Sequence, residues 1–294
     1  EVGYNNASAD NKFTYSANLT FSHYKNEIIK LSGDPDRTID AGSNRQMTYT
    51  RYANGTAFPE FFGYVVEGIF QTQAEVDAHP QYGSTTYNQP GHFKFQDQLT
   101  VDTDGDGVPD ATDGVINADD RTFIGSPHPD FTSGLNLDFG YGNFDLNMFF
   151  YGSYGNEMVN YVTRWIDYGM FNGGLSKDAL YNSWGSPYLD NNANAKLPML
   201  DQSDISQQPS TAFVEDASYL RLKTMRLGYT LPKNILDKAQ IKSVRIYAQV
   251  TNVFTITGYS GLDPEYNTSG SGMGLDRGAW PTPRQIMFGI NLGL

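Results

Sequence analysis

SGLNLDFGYGNFDLNMFFYG, residues 133–152, decides the fold. Its first half alternates. Leu135, Leu137, Phe139 and Tyr141 fall on one side of an extended chain, and Gly134, Asn136, Asp138 and Gly140 on the other. Gly142-Asn143 is a two-residue turn signal. The second half alternates again: Phe144, Leu146, Met148 and Phe150 lie on one side, Asp145 and Asn147 on the other, until Phe149 interrupts the polar run. Two such runs joined by two residues predict a tight antiparallel hairpin with a greasy face and a polar face.

The same pattern recurs in both directions. In KFTYSANLTFSHY (12–24), Phe13, Tyr15, Ala17, Leu19 and Phe21 oppose Thr14, Ser16, Asn18 and Thr20. In the stretch 217–231, Leu220 and Leu222 share one phase while Met225, Leu227, Tyr229 and Leu231 share the other. That slip of one residue predicts a bulge near Lys223-Thr224. PKNILDKAQ (232–240) reads as a short helical turn. SVRIYAQVTNVF (243–254) and RQIMFGINLGL (284–294) alternate once more, the last with Ile286, Phe288, Ile290, Leu292 and Leu294 on one face. With EVGYN at the start, about seven strands are visible.

The connections carry the architecture. Those at about 5–11, 142–143 and 232–242 are short, and those at 25–130, 156–215 and 255–282 are long. Strict alternation of short and long predicts an all-β, antiparallel, up-and-down transmembrane barrel with turns on one side and long extracellular loops on the other. The polar faces suit a wet lumen and the apolar faces suit lipid. Seven strands do not close a barrel of even strand number, so the chain is expected to be a piece of something longer, as Glu1 and the lack of an initiator Met or signal peptide also suggest. The competing reading is a soluble β-sandwich whose greasy faces pack on each other.

Composition narrows the function. A net charge of −13 argues against nucleic acid as a partner. No cysteine is present, which removes disulfides and thiolate chemistry. No run approaches the roughly 18 apolar residues of a membrane helix, which leaves a barrel open.

Several motifs in order resemble one family. FVEDASYLRLKTMRLGYTLP (213–232), VRIYAQVTNVFTITGYSGLDPE (244–265) and PRQIMFGINL (283–292) are similar to the C-terminal barrel of the SusC/RagA family of TonB-dependent outer-membrane transporters of Bacteroidetes. FFGYVVEGIFQTQAEV (61–76) and DDRTFIGSPHPDFTSGLNLDFGYGNFDL (119–146) resemble a loop and hairpin of the same family. The resemblance implies that residues 1–294 are the C-terminal strands of a 22-stranded plugged barrel, with the plug and the N-terminal strands outside this chain. It also implies a multi-pass protein of a Gram-negative outer membrane, and import driven by TonB through the missing N-terminal region. A SusD-like surface lipoprotein would be a partner, and the cargo an oligosaccharide or other glycan, in some members a peptide. The family is not enzymatic.

One loop points to a metal. In VDTDGDGVPDATDG (101–114), Asp102, Asp104, Asp106, Val108, Asp110 and Asp113 fall at positions 1, 3, 5, 7, 9 and 12 of an EF-hand-like loop, with Gly107 at position 6. Val108 would contribute its carbonyl. Hard oxygens at this spacing suit Ca²⁺ in a structural role on an extracellular loop; the alternative is a solvated acidic turn. A secreted, calcium-dependent, carbohydrate-binding sandwich would explain this loop and the loop aromatics, though not the alternation of connections.

Covalent chemistry finds no support. His23, His79, His92 and His128 are scattered, and GYSG (258–261) lacks nucleophile-elbow spacing. Aromatic residues concentrate in the long connections. Trp165 and Trp184 are the candidates for stacking on cargo, against packing within the loops themselves. Met158, Val162, Trp165 and Ile166 have the spacing of a short amphipathic helix.

Overall fold

The computed structural model describes residues 1–6, 12–34, 36–44, 47–83, 88–168, 174–201, 205–236, 241–266 and 269–293. The centre is one seven-stranded antiparallel sheet. Its strands are β1 (Val2–Asn6), β2 (Phe13–Ser22), β3 (Phe131–Tyr141), β4 (Phe144–Tyr154), β5 (Tyr219–Thr230), β6 (Ser243–Thr257) and β7 (Gln285–Gly293), and their order in the sheet is their order in the chain. Each strand therefore pairs with the next, as an up-and-down wall requires. The sheet is open, with β1 and β7 at its edges.

The hairpin read from 133–152 is present, with Tyr141 opposite Phe144 across Gly142-Asn143. Gly142 takes a φ of 58°, the left-handed conformation that this turn needs. The bulge expected at Lys223 is present as well: Phe149 faces Thr224 and Phe150 faces Leu222, so Lys223 is the extra residue. The register between β5 and β6 also shifts at this level, where Asn252 has a φ of 53° and its side-chain amide donates to Pro283 O at 3.0 Å. Residues Lys233–Leu236 form the expected helical turn. The rest of that connection (237–240), most of the first short turn (7–11) and Leu294 lie outside the described residues.

Register aligns each side chain with its own kind across the wall. One row on the apolar face runs Ala17, Leu137, Met148, Met225, Val250, Ile286. Two residues lower the row is Tyr15, Phe139, Leu146, Leu227, Ala248, Phe288. Rings gather at the two ends of this face. At the turn end Phe13 stacks near Phe139 and Phe144 meets Tyr229 at a tilt; Phe21, Phe131 and Tyr154 stack at the loop end. The opposite face is polar. Ser16, Asp138, Asn147, Arg226 and Gln249 form one row. Asn147 donates to Asp138 at 2.7 Å, and Arg245 reaches Asp145 across the Cβ-less Gly228.

The buried core is not in the wall. Tyr49, Phe61, Tyr64, Phe93, Phe95, Ile116, Val159, Tyr161, Tyr168, Phe213 and Leu275 form one cluster, and all belong to the three long connections. Those connections fold together as a body. Thr122–Gly125, Glu60–Gly63, Met47–Tyr52 and Ile39–Asn44 make a four-stranded sheet. Val214–Asp216, Glu157–Asn160 and Leu275–Asp276 make a three-stranded sheet that unites the second and third long connections. The wall's apolar face, by contrast, is exposed: Phe288 is 81% accessible and Ile290 62%. Among the described residues no helix is long and apolar enough to cross a membrane.

Candidate functional site

Where the polar face of the wall meets the loop body there is a cavity of about 530 Å³. The wall supplies Ser22, Thr132, Phe149, Tyr151 and Tyr219, all in the polar-face register. The loops supply Tyr24, Pro127, Pro129, Asn156, Pro264 and Tyr266. Tyr151 and Tyr219 have ring centroids 6.2 Å apart, and Lys223 Nζ lies 5.8 Å from the Tyr151 ring centre. Flat rings and hydroxyls thus share one concave surface.

Four charges beside it are mutually satisfied. Arg221 is buried on β5 and donates to Asp263 at 2.5 Å, to Glu265 at 2.6 Å and to Thr255 at 2.7 Å. Lys223, placed by the bulge, pairs with the other oxygen of Glu265. Two cations therefore meet two carboxylates. Burial works against the Asp263 charge, but hydrogen bonds from Arg221 and Thr282 outweigh it and hold that carboxyl down at about 2. Glu157 accepts from Ser126 N at 2.8 Å, and burial pushes its carboxyl above the usual range. The cavity offers aromatic faces, hydroxyls and amides, with no net charge from this quartet.

This site was only partly visible in the sequence. Phe149 broke the polar alternation of β4, and Tyr151 continues the break; an aromatic pair on the polar face was the available signal. The Arg221–Asp263 and Lys223–Glu265 pairs join residues 42 apart across an irregular loop, and no local pattern announces them.

The two tryptophans lie within the loop body. Trp165 is on the short helix Thr163–Ile166, meets Tyr161 edge-on at 5.6 Å and packs against the loop core. Trp184 donates from Nε1 to Gln71 at 3.1 Å and lies over Gly91, where a Cβ would meet the indole at 2.7 Å. Neither lines the cavity at the wall.

Of the six proposed metal ligands, the fold gathers three. Asp102, Asp104 and Asp106 place carboxylate oxygens within 4.8 Å of one another, all exposed. Gly105 and Gly107 have φ of 77° and 88° and donate their N–H groups to Asp102 at 2.7 and 2.8 Å. Those two amides, Gly107 first, hold the Asp102 carboxyl below its usual range. Val108 donates its N–H to Asp106. Asp110 instead accepts from the Thr103 hydroxyl and N–H, and Asp113 accepts from Val115 N and Asn117 Nδ2.

The groups of hydrolytic chemistry bond elsewhere. Ser260 Oγ donates to Glu215 at 2.8 Å. His23, His79 and His128 bond backbone carbonyls, and His92 Nε2 lies 2.7 Å from Asp201.

Comparison with known proteins agrees with this architecture. No protein-family model matches the chain. TonB-dependent receptor P3 of Formosa agariphila is 34% identical over 291 residues, covering 95% of this chain and 27% of the relative. TonB-dependent receptor SusC of Bacteroides thetaiotaomicron is 28% identical over 281 residues, covering 94% of this chain and 24% of the relative. Among solved structures, the RagAB peptide transporter superposes with a TM-score of 0.73 at 25% identity, over 99% of this chain and 28% of that one. The chain thus spans about a quarter of the length of these relatives, which are named as receptors and transporters. End-to-end similarity, a wall of consecutive antiparallel strands, and long connections folded over its polar face together make the chain similar to about one quarter of these TonB-dependent receptors, SusC and the RagAB transporter among them.

Proposed function

We propose that this chain forms seven consecutive strands in the closed barrel of an outer-membrane, TonB-dependent importer of oligosaccharides or peptides, working with a SusD-like surface lipoprotein. The observation that carries this reading is the inverted wall. Its apolar face carries large exposed side chains on all seven strands and is half-buried between them, while its polar face and the loop body form an aromatic cavity edged by paired charges. Lipid on one side and a wet lumen on the other satisfy both faces at once. A sandwich would need a second sheet on the apolar face, and among the described residues no strand pairs or packs there to bury Phe288 or Ile290. Strands of this kind stay rigid while cargo passes; the moving part is a plug outside this chain.

The cavity is the cargo-facing surface in this reading. Rings at Tyr151 and Tyr266 stack on a sugar face or a flat peptide group, and hydroxyls and Asn156 read polar edges. In the full receptor with its lipoprotein, replacing Tyr151 and Tyr266 by Ala should weaken cargo binding about tenfold, or about 1.4 kcal/mol. Isothermal titration with neutral oligosaccharides and with short peptides checks this. Unchanged affinity removes the cavity from the cargo path. Failure of the native receptor to bind or import either class rejects the import reading.

We also propose Ca²⁺ as a structural ion on the 101–114 loop, held by Asp102, Asp104 and Asp106 with the Val108 carbonyl. Asp110 and Asp113 lie outside that cluster, on Thr103 and on Val115 and Asn117. Three carboxylates close together repel one another without a cation, which supports the reading. An exposed site of this kind should bind with a Kd of about 10⁻⁴–10⁻³ M. Asp102→Asn with Asp104→Asn should abolish the binding heat, and EGTA should speed proteolysis of the loop. Equal binding heat in the double variant would remove the site.

A further inference from the structure

We infer that a groove at the loop end of the apolar face is a fixed site for one membrane lipid, an acyl chain beneath a hydroxyl-rich sugar headgroup; this rests on the reading of that face as a membrane surface. The groove has a volume of about 440 Å³ and lies across β3, β4, β5 and β6. These are interior strands of the sheet, so whatever pairs with the edges β1 and β7 leaves it open.

Register shows why a dent forms there. One row across the apolar face reads Phe21, Ser133, Gly152, Leu220, Ile256. Two of the smallest residues stand side by side between bulky neighbours. Above them Phe131 stacks between Phe21 and Tyr154, with centroids 5.1 and 5.3 Å away. Below them the next row restores Leu135, Phe150 and Leu222. The result is a furrow about one side chain deep, walled by rings on one side and by Leu220 and Ile256 on the other. Such a furrow suits a flexible apolar chain, because a lipid tail that fills it supplies the dispersion attraction that Ser133 and Gly152 are too small to provide.

The rim identifies the headgroup. Where the groove meets the loop body it is lined by Asp216, Ser218 and Thr257. Asp216 is exposed, and one of its oxygens accepts Ser218 N at 2.8 Å. Ser218 Oγ accepts from Gly155 N, and its carbonyl accepts from Thr257. No lysine or arginine lines the groove. A phosphate headgroup would meet a carboxylate there without a counter-charge, whereas sugar hydroxyls would donate to it. The rim therefore favours an uncharged, hydroxyl-donating headgroup.

The test uses the full-length receptor, offered galactosyl diacylglycerol and phosphatidylglycerol of identical chains, with retained lipid counted by native mass spectrometry. The native protein should hold one glycolipid about tenfold more tightly than the phospholipid. Ser133→Leu fills the furrow and should abolish that excess. Asp216→Lys leaves the furrow intact and should invert the preference toward the phospholipid. This second variant lies in the loop body and decides the matter if the first fails to insert. Equal retention of both lipids by the native protein, or preference unchanged in Asp216→Lys, overturns the inference. A protein that stays soluble without detergent and takes up neither lipid rejects the membrane reading itself.

Discussion

Replacing Asp263 by Asn should loosen the 258–284 connection from the wall while leaving the wall itself paired. Asp263 and Arg221 are each more than nine-tenths buried, and the carboxylate also accepts Thr282 N and Glu265 N. It therefore holds both ends of a loop to one guanidinium on β5. The variant leaves Arg221 and Lys223 to share Glu265 alone, and the lost charge-assisted hydrogen bond costs about 1.5–3 kcal/mol. The loss should be local, because β5 keeps its ladder to β4 and β6 through backbone hydrogen bonds. Hydrogen exchange should rise sharply at 258–284, and trypsin should cut faster after Arg277. Acid should act the same way on the native chain. The Asp263 carboxyl lies at about 2, below its ordinary value of about 3.9, so the stability it adds is complete above that ordinary range. It is lost as pH falls from about 4 through 2, and Asp263→Asn should flatten that acid limb. Exchange in the variant matching the native chain at every loop amide would show that the pair holds nothing.

The contrast between wall and loop body explains how much could be read in advance. Period-two alternation is local, so Leu135 to Phe150 disclosed strands, faces and the hairpin, and Leu220 to Leu231 disclosed the slip at Lys223. Barrel closure is a different matter, since it depends on partners for the edges at Val2–Asn6 and Gln285–Gly293. The loop body was the least legible part. Phe61, Phe93, Val159, Phe213 and Leu275 come from three separate connections and meet only in the folded chain. Their short strands are two to six residues long, too brief for a periodic signal. Trp165 is a milder case: packing within the loops was one of its two readings, but its partner Tyr161 was not legible. At the acidic loop, spacing suggested six ligands because it counts positions. The fold brings the carboxylates of Asp102, Asp104 and Asp106 together, whereas Asp110 bonds Thr103 and Asp113 bonds Val115 and Asn117.

Placing an arginine at Met148 should prevent the wall from inserting, and the neighbouring Asn147→Arg should not. Met148 sits midway along β4, between Leu137 on β3 and Met225 on β5, in the central apolar row. About four residues separate it from Phe144 and from Gly152 on the same face, so it lies near mid-height between the two sets of rings. An arginine at the bilayer midplane costs roughly 2–4 kcal/mol on a lipid face, falling to about 0–1 near the interfaces. Phe21→Arg, at the loop-end ring cluster, should therefore cost much less than Met148→Arg. Asn147 is one residue away but points to the polar face, where it bonds Asp138 and Asn136. An arginine there faces Arg226 but has Asp138 as a carboxylate partner and remains wet, so its cost stays below about 1 kcal/mol. Folded fraction in lipid bilayers, read by heat-modifiable migration of the full receptor, should rank Met148→Arg far below Phe21→Arg and Asn147→Arg. Equal loss at Met148 and Asn147 would mean that both faces are buried in protein, and the wall would no longer separate lipid from water.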